Sequence, residues 1–139
     1  MTEPSHTNLE QQDGGKVRPS GFSLVKSFGC AFEGIARTSH ERNFRIESAV
    51  GVLAVVLGFA LGISPTEWLA VIICIALVLA LECVNDAIEA VVDMVSPEWH
   101  PLAKKAKDAV AGAALIASLA SLAVGIVVFL PRLLALLGL

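Results

Sequence analysis

Five polar residues, Glu82, Asn85, Asp86, Glu89 and Asp93, interrupt an otherwise apolar run from Trp68 to Val95, WLAVIICIALVLALECVNDAIEAVVDMV. At 100° per helical residue they share roughly a third of the circumference. Between them stand Cys83, Val84, Ala87, Ile88, Ala90, Val91 and Val92. Carboxylates gathered on one such face can move a proton or ligate a hard cation. They are costly to keep there. A charge at the centre of a bilayer costs roughly 2.5–3.5 kcal/mol on insertion scales, and neighbouring carboxylates repel each other. A partner helix, water, a cation or all three must hold them.

Further groups of the same chemical kind flank this run. Glu41 and Glu89 are hard oxygen donors, and Mg²⁺ needs only one or two carboxylates when nucleotide phosphates complete its shell. Lys104 and Lys107 stand one helical turn apart and can meet phosphate as point charges. Glu82 lies deeper along its helix than Glu89, a setting suited to a general base, and Asn85 on the same face can orient a neighbour. Together these parts suit phosphoryl transfer to a lipid hydroxyl, where placement and charge neutralisation carry most of the catalysis. Blander roles compete for some of them. Glu47 could pair with Arg45, Asp86 could make a helix-packing hydrogen bond, and Trp99 and His100 could anchor an interface. The chain holds no G-x-x-x-x-G-K-[ST] motif, so any nucleotide site must be of another kind.

The elements that must position these residues are membrane helices. Of 139 residues 55% are hydrophobic, and the net charge of −3 averages over strongly segregated charge. Residues 1–20 are polar and lack apolar periodicity, which predicts a disordered cytoplasmic tail. Over 21–38 apolar residues recur at helical spacing, with Lys26, Glu33 and Arg37 largely elsewhere on the wheel, predicting an amphipathic surface helix. Three spans are expected, at about 44–63, 66–95 and 101–130, the last closed by Pro131. Ser64 reads as an N-cap with Pro65 at the first helical position and Glu67 in the first turn, while Trp68 sits where an interfacial aromatic belongs. Ser96-Pro97 stops the second span. Ala109, Gly112, Ala113, Ala117, Ala120, Ser121 and Gly125 suit close packing of the third.

Lysine and arginine set the orientation. Lys16, Arg18, Lys26, Arg37, Arg42 and Arg45 precede the first span, and Lys104, Lys105 and Lys107 join the second and third. The positive-inside rule places the N-terminus and this loop in the cytoplasm and the C-terminus outside. No cleavable signal is expected, since the first apolar run begins after Glu47. Cys30, Cys74 and Cys83 form no C-x-x-C pair and read as free thiols.

The string ECVNDAIEAVVDMVSPEWHPLAKKAKDAVAGA, preceded by AFEGI at 31–35 and ERNFRIE at 41–47, resembles the signature of the small integral-membrane lipid kinases, the prokaryotic diacylglycerol and undecaprenol kinase family. The likeness covers about residues 21–131, and AFEGI, ERNFRI, HPLAKKAKDA and FLPRL are most similar to the undecaprenol kinases of Gram-positive bacteria. The resemblance implies an all-α integral membrane protein, a homotrimer of three-span protomers with an N-terminal surface helix and sites between subunits. It implies Glu82 as the catalytic base, Glu41 and Glu89 as ligands of Mg²⁺, and ATP as co-substrate near Asn85, Glu98, His100, Lys107 and Asp108. Lipid would meet Phe32, Gly34, Arg37, Phe44, Arg45 and Glu47. One departure is Cys30, where relatives often carry an aromatic.

The expected function is therefore ATP-dependent phosphorylation of a membrane lipid hydroxyl, foremost undecaprenol, in the bacterial cell membrane, with diacylglycerol the alternative acceptor and no nucleic acid partner. From another class, a small cation transporter or channel subunit would use the acids to line a path. The stretch Trp68–Leu81 offers no polar residue to continue one.

Overall fold

The computed structural model describes residues 24–138, so the expected tail and the start of the surface helix lie outside the described residues. Four helices follow in order: α1 Leu24–Thr38, α2 Arg42–Leu61, α3 Pro65–Val95 and α4 Pro101–Leu136. The last three are each long and apolar enough to cross a membrane. At 1.5 Å per residue α2 is about 30 Å long, close to the hydrocarbon thickness, whereas α3 and α4 exceed it by roughly half again or more. The surplus is put to one use: α3 ends and α4 begins in charged turns.

The turn between α2 and α3 shows how local chemistry sets the hairpin. Gly62 takes the left-handed conformation (φ 60°) and its N–H returns to the Gly58 carbonyl, so α2 ends at Leu61 and the first span lies two residues earlier than expected. Ser64 then opens α3 in a capping box: the Ser64 N–H donates to Glu67 Oε2 (2.7 Å) and the Glu67 N–H to Ser64 Oγ (3.4 Å), with Pro65 in the first helical turn. Trp68 lies against Phe59 with ring centroids 4.7 Å apart. A β-carbon at Gly58 would come within 2.8 Å of the same indole, so the glycine lets α2 approach α3 there.

α3 is the central element, packing most extensively on α4 and also receiving α1 and α2. Ile63, Val71, Val128 and Phe129 form a buried cluster at the capping-box end, with Ala54, Leu57 and Ile75 against it. Outward-facing Val52, Phe59, Leu69, Ile73, Leu119 and Val127 remain exposed. Such an apolar exterior needs lipid or another subunit to cover it.

Pro131 does not close the third span as expected. α4 runs through it to Leu136. The proline has no N–H for the Val127 carbonyl, which ordinarily breaks a helix. One residue on, Arg132 anchors the turn from its side chain. Its Nη1 donates to the Val128 carbonyl (2.8 Å), and Nη1 and Nη2 grip Glu67 at 2.8 and 2.7 Å.

Candidate active site

Glu82 is 5% exposed, the most buried carboxylate among the described residues. Its position follows from the packing: α1, α2 and α4 all lie against α3, and the polar stripe of α3 faces them. Glu82 stands within electrostatic reach of four further acids, foremost Glu47 from α2, then Glu89, Asp86 and Glu41. Residues more than forty positions apart in the chain thus converge on one carboxylate.

Most of these acids have a donor. Thr38, 4% exposed at the end of α1, donates from Oγ1 to Asp86 Oδ2 at 2.7 Å. Asn85 Nδ2 donates to Glu89 Oε1, one turn along α3, at 3.2 Å. Lys107 Nζ reaches Asp93 Oδ1 at 2.6 Å and ties the start of α4 to the end of α3. Ser118 Oγ of α4 lies 2.8 Å from Glu47 Oε1 and 3.1 Å from the Ala114 carbonyl. The hydroxyl has one proton to donate, and the charged, nearer oxygen is the stronger acceptor. Two buried oxygens, Glu47 Oε2 and Asn85 Oδ1, lack a partner among the described residues.

Around this core the remaining site residues take distinct positions. Glu41 is the exposed N-cap of α2 with an extended backbone, and its side chain makes no capping bond. Lys104 pairs with Asp108 one turn away. His100 caps α4 by accepting the Leu102 N–H at Nδ1 (3.2 Å), which in neutral imidazole leaves the proton on Nε2. Glu98 is exposed beside it. Phe32, Gly34 and Arg37 are exposed along α1, Arg45 is exposed on α2, and Phe44 is buried. Among the described residues no three His, Cys, Asp or Glu side chains form a ready-made metal site. The half-buried Glu89 and the orphaned Asn85 oxygen supply only hard oxygen donors, the kind Mg²⁺ takes when phosphates fill the rest of its shell.

A long groove of about 470 Å³ opens beside this cluster between α2 and α4. Val50, Leu57, Val78, Leu122 and Phe129 are among its apolar walls, and Glu47 with Ser118 stands at one end. Over residues 29–129 the sequence matches the family described as prokaryotic diacylglycerol kinase. The chain belongs to that family.

Individual relatives agree. The chain is 40% identical over 111 residues to an undecaprenol kinase of Bacillus subtilis, covering 79% of this chain and 90% of that one. It is 38% identical over 116 residues to a diacylglycerol kinase of Synechocystis, covering 82% and 66%, and 37% identical over 100 residues to one from Escherichia coli, covering 70% and 82%. As a member of this kinase family the protein is a multi-pass membrane enzyme, a lipid kinase that needs a phosphoryl donor such as ATP.

Within that family frame, Asp86 makes the helix-packing hydrogen bond raised as its plainer role, whereas Glu47 pairs with Ser118 rather than Arg45. Thr38 and Ser118 were not singled out by sequence reasoning. The available signal was thin: a hydroxyl just before the E-R-N-F motif, and one of two serines in a span otherwise read as packing surface.

Proposed function

We propose that the protein transfers the γ-phosphoryl group of ATP to the hydroxyl of undecaprenol at the cytoplasmic face of the membrane, working with Mg²⁺ as a homotrimer. The observation that carries this reading is the burial of Glu82 amid Glu47, Asp86, Glu89 and Glu41, of which Glu47 lines an apolar groove. A base beside a groove for hydrocarbon suits an acceptor that is greasy except for one hydroxyl.

Glu82 takes the proton of that hydroxyl as its oxygen bonds to the γ-phosphorus and the bond to the β-phosphate oxygen breaks, releasing ADP. Asn85 fixes one oxygen of Glu89 and leaves the other for the metal, with Glu41 as the second carboxylate. Magnesium, when bound, supplies neutralisation of the phosphate charge. Lys107 and Asp108 stand at the nucleotide, with Glu98 and His100 toward its adenosine end. Phe32, Gly34 and Arg37 of α1, lying on the membrane surface as an amphipathic helix, cover lipid and nucleotide, and Phe44, Arg45 and Glu47 border the acceptor. Lysine and arginine around the polar end support placing it in the cytoplasm. Exposed apolar faces on α2, α3 and α4 support subunits sharing their sites.

Diacylglycerol is the second acceptor to consider, because relatives at 37–38% identity are diacylglycerol kinases. Purified protein in detergent, given labelled ATP with undecaprenol or diacylglycerol, separates the two. Faster labelling of undecaprenol is the expected result. Preference for diacylglycerol would reassign the substrate, and label in neither would refute the proposal.

A further inference from the structure

We propose that Thr38 is a positioning residue that sets Glu41 for metal binding, a role that rests on the function proposed above. Among the described residues of α1, Thr38 alone is buried. Phe28, Phe32 and Ile35 along the same helix are exposed. α1 is therefore joined to the bundle at one end and through a polar residue. Burying a hydroxyl is costly unless its hydrogen bonds are made. Thr38 uses both its side chain and its backbone: Oγ1 donates to Asp86 Oδ2 at 2.7 Å, and its carbonyl accepts the Glu41 N–H at 2.9 Å.

Glu41 needs such an anchor because its own side chain does not supply one. It stands at the N-cap of α2, where Ser, Thr, Asp or Asn usually commits its side chain to the helix N–H groups. Glu41 makes no capping bond and is exposed, so its carboxylate is not committed to the helix. Its backbone is held on both sides instead. The N–H goes to Thr38, and the carbonyl accepts the Arg45 N–H at 3.1 Å as α2 begins. At the other end of this chain of bonds, Asp86 lies one residue from Asn85 and three from Glu89 on α3. Asp86, Thr38 and Glu41 thus fix the start of α2 against the carboxylate proposed as the second metal ligand. Mg²⁺ demands near-octahedral oxygen donors at about 2.1 Å, so a ligand whose backbone drifts binds it less well. Without the Thr38 hydroxyl the turn between α1 and α2 loses its tie to α3, and Glu41 drifts with it.

The test reads metal binding apart from catalysis. Full-length protein in detergent, with a non-hydrolysable ATP analogue, is titrated with Mn²⁺ below the melting transition and followed by electron paramagnetic resonance. Mn²⁺ takes the same hard oxygen donors as Mg²⁺. Thr38→Val and Glu41→Gln should each weaken Mn²⁺ binding about tenfold or more, the scale on which a metal site responds to losing a supporting group. Thr38→Ser, which keeps the hydroxyl, should bind as wild type does. In the Glu41→Gln background Thr38→Val should add little, because the threonine acts through that carboxylate. Wild-type affinity in Thr38→Val would overturn the proposal, as would an undiminished further loss in the Glu41→Gln background. Should Thr38→Val fail to fold, Thr38→Cys offers a weaker donor and is held to the same criteria. Wild-type affinity in Glu41→Gln would refute the metal role of Glu41 and this inference with it. Failure of the proposed function itself, a wild type that labels no lipid, is read separately from all of these.

Discussion

Thr38 donates a 2.7 Å hydrogen bond to Asp86, forty-eight residues away, and is itself almost wholly buried. The bond seats the end of α1 on the acidic stripe of α3, one residue from Asn85 and three from Glu89. The same stretch, Ser39 to Glu41, leads into α2 and delivers Glu41 to the same acids. One threonine thus links the surface-exposed helix to the proposed chemistry.

Thr38→Val, which keeps the shape and removes the donor, should lower the melting temperature. A half-buried carboxylate left without its donor costs about 1–3 kcal/mol. Thr38→Ser should stay near wild type. Equal melting curves for Thr38→Val and wild type, with unchanged activity, would show the bond to be incidental.

The proposed metal role of Glu89 leads to a titration. Glu89→Gln retains an oxygen for Asn85 but loses the charge a hard cation needs. The magnesium concentration for half-maximal activity should rise about tenfold or more, the size of effect seen when a metal site loses a supporting group. An unchanged magnesium dependence would remove Glu89 from the metal site.

Lys107 is paired with Asp93 across the α3–α4 junction, and both side chains are at least a third exposed. Such a pair contributes about 0–1 kcal/mol to stability by itself. If Lys107 also meets phosphate, Lys107→Met should raise the ATP KM about tenfold or more while sparing the lipid KM, a loss beyond that of an exposed pair. Wild-type ATP affinity in the variant would leave Lys107 a structural tie alone.

At the opposite end of the bundle, Arg132 holds Glu67 by two hydrogen bonds while Glu67 caps α3. Arg132→Met and Glu67→Gln should each lower the melting temperature, and the double variant should lose less than the sum of the two single losses. Label transfer below the transition should match wild type, because neither residue borders the acids around Glu82. Additive losses would show that the two residues act independently.

Much of this was legible from residue types. Ser64, Pro65 and Glu67 announce their cap because capping is local, settled within four residues. The acidic stripe announces itself because charge among Cys83, Val84 and Ile88 has no inexpensive explanation. Partner choice was not legible. Glu47 could meet Arg45 two residues before it or a hydroxyl seventy-one residues later, and only packing of α2 beside α4 selects Ser118. The same holds for Lys107, whose partner Asp93 comes from the preceding helix. Pro131 misled because its local effect is to end a helix, whereas α4 runs on to Leu136 with the next residue, Arg132, tied by its side chain to the Val128 carbonyl and to Glu67.

The most direct measurement is transfer of label from γ-labelled ATP to undecaprenol by wild type and Glu82→Gln under saturating ATP and magnesium. Glutamine keeps the shape of the buried residue and cannot take a proton, so kcat should fall by about 10²–10⁴, the usual contribution of a general base, with nucleotide binding intact. Near-normal transfer by Glu82→Gln would contradict the assignment of this carboxylate as the base.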